Sequence, residues 1–139
     1  MKVHIEQGTP DKASHIASLI MEAMNTDCCQ NFAGPHHTLV DFHQMMERLV
    51  KMEDSQYSYL NTLVASNSEG IITGILVAYD GAKLKELRRQ FIKEAIVSFG
   101  IDYSAMDAET EAGEFYLDSL AVSSSFRGKG IAKQLLAAA

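Results

Sequence analysis

No apolar run in this chain approaches the roughly 18 residues that a membrane-spanning helix needs. The opening MKVHIEQGTP also lacks the apolar stretch of a secretory leader. Neither a membrane anchor nor export is therefore expected. Cysteine is scarce: the two present, Cys28 and Cys29, are adjacent, and neighbouring cysteines close a disulfide only with strain. They read as reduced thiols, and a cytoplasmic location is expected. Positive charge is short as well. Twelve Lys and Arg stand against 18 Asp and Glu, a net charge of −6, which argues against a nucleic-acid partner because phosphate contacts need a positive surface. The pairs Cys28–Cys29 and His36–His37 miss the C-x₂₋₄-C and H-x₃₋₅-H spacings that let two side chains converge on one ion, so no metal is expected. Also missing are the G-x-x-x-x-G-K-[ST] loop and the three-glycine dinucleotide pattern early in a βαβ unit.

What is present fits one soluble-type domain. The 139 residues are 47% apolar and 22% charged, enough to bury a sizeable core. Charge is unevenly spread. Five basic residues lie between Lys83 and Lys93, six acidic ones and no basic one between Asp102 and Asp118, and beyond that only Arg127, Lys129 and Lys133 are charged.

Alternating Lys2–Glu6 predicts a strand. Thr9-Pro10-Asp11 predicts a helix start, followed by Ile16, Leu19, Ile20 and Met24 at helical spacing. The segment 25–37, NTDCCQNFAGPHH, reads as a loop. Thr38 with Asp41 three residues on caps a second helix, whose stripe is Leu39, Phe42, Met45, Met46, Leu49 and Met52; its methionines are most simply core. Strands at 61–66 and 71–79 flank Asn67-Ser68-Glu69-Gly70, a hairpin signal. Leu84, Leu87, Phe91, Ala95 and Phe99 predict a helix over 82–98, its basic face read mainly as solvated. An acidic, irregular stretch to Gly113 follows, then a strand over 114–122 and a helix from about Gly128. The order β-α-α-β-β-α-β-α predicts a mixed α/β (α+β) domain.

The stretch from Ser124 to Lys133, SSFRGKGIAK, joins the last strand to the last helix. A helix N-terminus carries unpaired amides and about half a positive charge. Gly128 and Gly130 would let an anion approach those amides, Ala132 would allow close packing, and Arg127 and Lys129 would add charge at the rim. Such a turn seats a phosphate or pyrophosphate, although a plain tight connection has the same composition.

LDSLAV (117–122), a short connector and Arg127-x-x-Gly130-x-Ala132 together resemble the signature of the GNAT superfamily of N-acetyltransferases, [QR]-x-x-G-x-[GA] after a strand ending near L-A-V. The resemblance implies a GNAT-like acyl-CoA N-acyltransferase fold, with acetyl-CoA as cosubstrate. It implies that Arg127, Gly128, Lys129, Gly130, Ile131 and Ala132 hold the pyrophosphate on their amides, with the pantetheine arm beside Leu120, Ala121 and Val122. Four residues of strand span about 13 Å, so that arm would bring the thioester near Asp118. It also implies a single domain over 1–139, with 82–113 a helix-plus-acidic-loop insertion between the third and fourth strands. The fold would be truncated after the helix following the fourth strand, because the family usually continues with a fifth strand, a helix and two more strands. The chain is then expected to be a piece of a longer one, to be completed by a partner such as a second copy, or to end naturally at its last helix.

The function implied is transfer of acetyl to a primary amine, on a small molecule or a peptide, by direct attack. An amine with an ordinary pKa near 10.4 costs about 4.6 kcal/mol to deprotonate at pH 7, so a carboxylate base helps. Strand alternation puts Glu114, Tyr116, Asp118, Leu120 and Val122 on one face and Ser119 on the other. Asp118 is the expected base, and Tyr116 or Glu114 would help hold the acceptor. A backbone N–H near Leu120–Val122 would steady the thioester carbonyl. The family places the loop between the first two helices beside the acceptor, so His36 and His37 would border it, and the acidic 102–111 stretch would attract a cation. The alternative is a non-catalytic acyl-CoA-binding or interaction module, pairing through the edge of the fourth strand.

Overall fold

The structure, a computed structural model, describes residues 3–105 and 115–139, and for 115–117 the backbone alone. The elements run β1 (His4–Gln7), α1 (Ala13–Met24), α2 (Thr26–Ala33), α3 (Leu39–Lys51), β2 (Thr62–Ser66), β3 (Ile72–Asp80), α4 (Leu84–Phe99), β4 (Phe115–Val122) and α5 (Ile131–Ala138). The four strands form one antiparallel sheet in the order β1-β2-β3-β4.

The extra helix α2 corrects the loop reading of 25–37. Asn25 takes a positive φ of 73°, which stops α1 and starts α2 at once, since its side chain accepts from the Cys28 amide at 2.9 Å. Short Asn tolerates that conformation better than most residues. α2 buries only Cys29 and Ala33, too thin a stripe to announce a helix. Thr9 precedes a single turn at Pro10–Lys12, but its side chain makes no capping bond. By contrast, α3 opens on the expected capping box: Thr38 Oγ1 accepts from the Asp41 amide at 3.2 Å, and Asp41 accepts from the Thr38 amide at 2.9 Å. That backbone bond also holds the Asp41 carboxyl below its ordinary pKa.

Helices α1 to α4 bury their apolar stripes in one core shared with one face of the sheet, α1 lying directly on strands β3 and β4. Ile16, Ile20, Phe42, Met45, Met46, Leu49, Val64, Ile75, Val77, Leu84 and Phe91 belong to this core. Among the five basic residues of 83–93, Arg88 is buried, at 6% exposure, so that face of α4 is not uniformly solvated. Among the described helices, α5 alone covers the opposite face, where Ala65, Leu76, Ile131 and Leu135 form a smaller core. Gly74 on β3 permits this approach: a Cβ there would lie 2.9 Å from the Ala121 carbonyl oxygen and 3.3 Å from Leu135 Cδ1.

Candidate functional site

The turn between β4 and α5 is shaped by two left-handed glycines, Gly128 at φ 79° and Gly130 at φ 78°. Other L-residues avoid that region by roughly 1–2 kcal/mol. A Cβ at either position would meet nothing within 4 Å, so the turn is open as well as sharp. Gly130 is the N-cap of α5, and the Gln134 amide makes the first return bond of the helix, to the Gly130 carbonyl at 3.2 Å. Among the described residues, the amides from Arg127 to Lys133 donate to no backbone carbonyl outside the helix, and the helix dipole points its positive end at the same place.

These amides border a cleft of about 320 Å³ lined by Leu120, Val122, Phe126, Arg127, Gly128, Gly130, Ile131 and Ala132. The fold thus gathers most of the residues expected at the cofactor. Two stand apart. Ala121 is 8% exposed and belongs to the core under α1–α4, on the other face. Lys129 is exposed on the turn and does not line the cleft. The donor set suits a diphosphate: bare amides, a helix N-terminus and Arg127 in the lining, with an apolar wall of Leu120 and Val122 beside it.

Arg127 also lines a second cavity. Its Nε donates to the Val122 carbonyl at 3.0 Å, which holds the guanidinium over the end of β4. Behind it lies a cavity of about 440 Å³ among α1, α2 and the start of α3, with Met21, Cys29 and Leu39 as apolar walls and Glu22, His43 and Ser18 as polar groups. Arg127 is common to both spaces. Sequence reading missed this cavity because α2 was read as loop.

Asp118 sits at an irregularity that alternation does not foresee. Ser119 lies opposite Val77 and Leu117 opposite Ala78, so Asp118 is the extra residue of a β-bulge. The bulge corrects the expected grouping of Asp118 with Leu120 and Val122. Asp118 Oδ2 accepts from the Tyr79 hydroxyl at 2.6 Å and from Gln56 Nε2 at 3.1 Å, and Tyr79 belongs to the core under α1–α4. Asp118 therefore shares the side of Ser119, whose hydroxyl is 3.5 Å from Oδ1, while Val122 packs with the α5 core. The 2.6 Å contact is in the range of charge-assisted O–H···O⁻ bonds. Tyr79 and Gln56 had no signal in the sequence, since each was one polar tip in a core-like or loop segment. Tyr116 pairs with Tyr79 by backbone register; its side chain, Glu114 and most of the acidic stretch lie outside the described residues.

Other candidates serve the fold. His37 packs on Phe99 at 5.2 Å between ring centroids and lies 3.6 Å from Asp41. Both cysteines are free thiols, and burial, with a lesser push from Cys28, raises the Cys29 thiol to about 11. Among the described residues, no group of three or more His, Cys, Asp or Glu is placed to hold a metal ion, and no helix is long and apolar enough to cross a membrane.

Residues 42–139 match the model of the acetyltransferase (GNAT) family. Similar solved structures include an acetyltransferase with 23% identity and a TM-score of 0.77, covering 97% of this chain and 71% of that one. An N-acetyltransferase from Staphylococcus aureus Mu50 gives 20% identity and 0.78, with 97% and 73% covered. A structure described as histone acetyltransferase HPA2 and related acetyltransferase, from Corynebacterium glutamicum ATCC 13032, gives 21% and 0.67, with 99% and 70% covered. No curated protein matches the sequence significantly. The chain belongs to the GNAT acetyltransferase family, and its mixed α/β architecture, a four-stranded antiparallel sheet with five helices among the described residues, is that family's fold.

Proposed function

We propose that this chain transfers acetyl from acetyl-CoA to a primary amine by direct attack, with no covalent enzyme intermediate. The observation that carries the reading is the amide-rich turn at Gly128–Gly130, opening on a cleft that continues along Leu120 and Val122. The amides of Arg127 to Ala132 would hold the diphosphate, and the edge of β4 from Leu120 to Val122 would receive the extended arm. When bound, acetyl-CoA supplies the activated acetyl group as a thioester. Asp118 takes the proton that the acceptor ammonium must lose, which offsets a cost of about 4.6 kcal/mol at pH 7. Tyr116 would hold the acceptor, which is a small molecule or a peptide.

Calorimetry with acetyl-CoA tests the site. Binding is expected for the native chain and should vanish in Gly130→Glu, which places both a strained residue and a negative charge at the diphosphate position. Undiminished binding in that variant would remove the turn from the site.

A second reading rests on the position of β4. It pairs with β3 alone among the described strands, and Leu120 on it is 36% exposed. An edge strand of this kind can pair with another chain, including a second copy. Sedimentation showing a monomer across a wide concentration range would discard the homodimer.

A further inference from the structure

Gln56 is only 5% exposed, and its Oε1 is a buried acceptor with no hydrogen-bond partner among the described residues. The segment around it is firmly tied. The Ser55 hydroxyl donates to the Leu49 carbonyl, Asn61 Nδ2 donates to the Ser55 carbonyl at 3.2 Å, and the Thr62 hydroxyl donates to the Ser58 carbonyl at 2.9 Å. With its backbone held this way, Gln56 reaches Asp118 Oδ2, the same oxygen that the Tyr79 hydroxyl contacts. Chemistry fixes the orientation of the amide, because the reverse would set a carbonyl against a carboxylate.

A residue chosen for packing alone would be apolar here, since a buried amide with half its bonding unmet destabilises the fold. We propose that Gln56 is a positioning residue: its amide, together with the Tyr79 hydroxyl, fixes the Asp118 carboxylate at the β-bulge for proton transfer. This rests on the reading of Asp118 as base. In that step a proton passes from the acceptor ammonium to the carboxylate, and the N–H electron pair stays on nitrogen as the attacking lone pair. Polar groups kept against stability are a mark of functional sites.

Gln56→Met, nearly isosteric and without the amide, separates this role from packing. The unfolding temperature is expected to stay level or rise. In ¹³C-aspartate-labelled chain without ligand, the Asp118 carboxyl signal, assigned by its loss in Asp118→Asn, should shift and broaden. Tyr79→Phe should move the same signal. With acetyl-CoA and spermidine as probe acceptor, kcat should fall tenfold or more while KM for acetyl-CoA is unchanged. An Asp118 signal unmoved by Gln56→Met overturns the proposal, and so does a variant that loses its fold or several degrees of stability. If the native chain neither binds acetyl-CoA nor acetylates spermidine, the transferase reading fails, and the carboxyl signal alone still decides whether Gln56 holds Asp118.

Discussion

On one face of the sheet, four helices seal a core that runs from Ile16 through Phe42 and Met46 to Phe91. On the other, among the described helices only α5 rests on Ala65 and Leu76, through Ile131 and Leu135, and a cleft opens where that helix begins. The contrast separates two tasks. The thick side supplies the area removed from water and so most of the stability. The thin side is less sealed: the amides at the N-terminus of α5 border the open cleft instead of packing into a core. The β-bulge at Asp118 connects the two, turning a carboxylate from a strand of the cleft wall toward the thick side, where Tyr79 and Gln56 hold it.

The largest effect should come from emptying the thick side. Phe42 is fully buried and stacks on Phe99 at 6.0 Å between centroids, and Phe42→Ala should cost about 3–5 kcal/mol. Leu135→Ala on the thin side removes a fully buried side chain too, but its neighbours can collapse more readily, so about 2–3 kcal/mol is expected. Chemical denaturation of both variants measures the gap. An equal or larger loss for Leu135→Ala would break the contrast, because it would make α5 as strong a contributor as the helical layer.

A smaller effect tests how close the thin side is packed. Gly74→Val introduces a branched side chain where even a Cβ would lie 2.9 Å from the Ala121 carbonyl oxygen. Overpacking of this kind costs about 1–3 kcal/mol, and it should lift α5 and weaken acetyl-CoA binding along with stability. A variant of native stability and affinity would show that α5 can shift freely, against the idea that Gly74 sets its distance from the sheet.

The contrast also governed what could be read in advance. Wide stripes, such as Phe42, Met45, Met46 and Leu49, follow helical period and were legible, as was the Thr38–Asp41 capping box. The turn at Gly128–Gly130 was legible because two glycines in a strand-to-helix connector leave its amides bare, and the left-handed φ of both came only with the structure. α2 was not, since it buries only two residues and its start is a single Asn25 in an uncommon conformation. The bulge was invisible for a different reason: one extra residue leaves no mark on composition and is set by pairing with β3. Alternation therefore placed Asp118 on the wrong side of β4, and neither Tyr79 nor Gln56 could be connected to it across 39 and 62 positions of sequence.

The smallest effect concerns Cys29, at the junction of the thick side with the cavity behind Arg127. Burial, and less strongly Cys28, lifts its thiol from an ordinary 9.0 to about 11. A raised value means that the folded chain keeps a proton which the unfolded chain gives up. The contribution is therefore complete below pH 9 and is lost as pH climbs through 11. Tyr103, also raised by burial, acts in the same direction, so the Cys29 share appears as a difference between two chains. Urea midpoints measured at pH 8 and at pH 10.5 should fall further for the native chain than for Cys29→Ala, whatever the absolute stability of the variant. Equal declines would mean that water already reaches the thiol from the cavity, and the thick side would then be open at that corner.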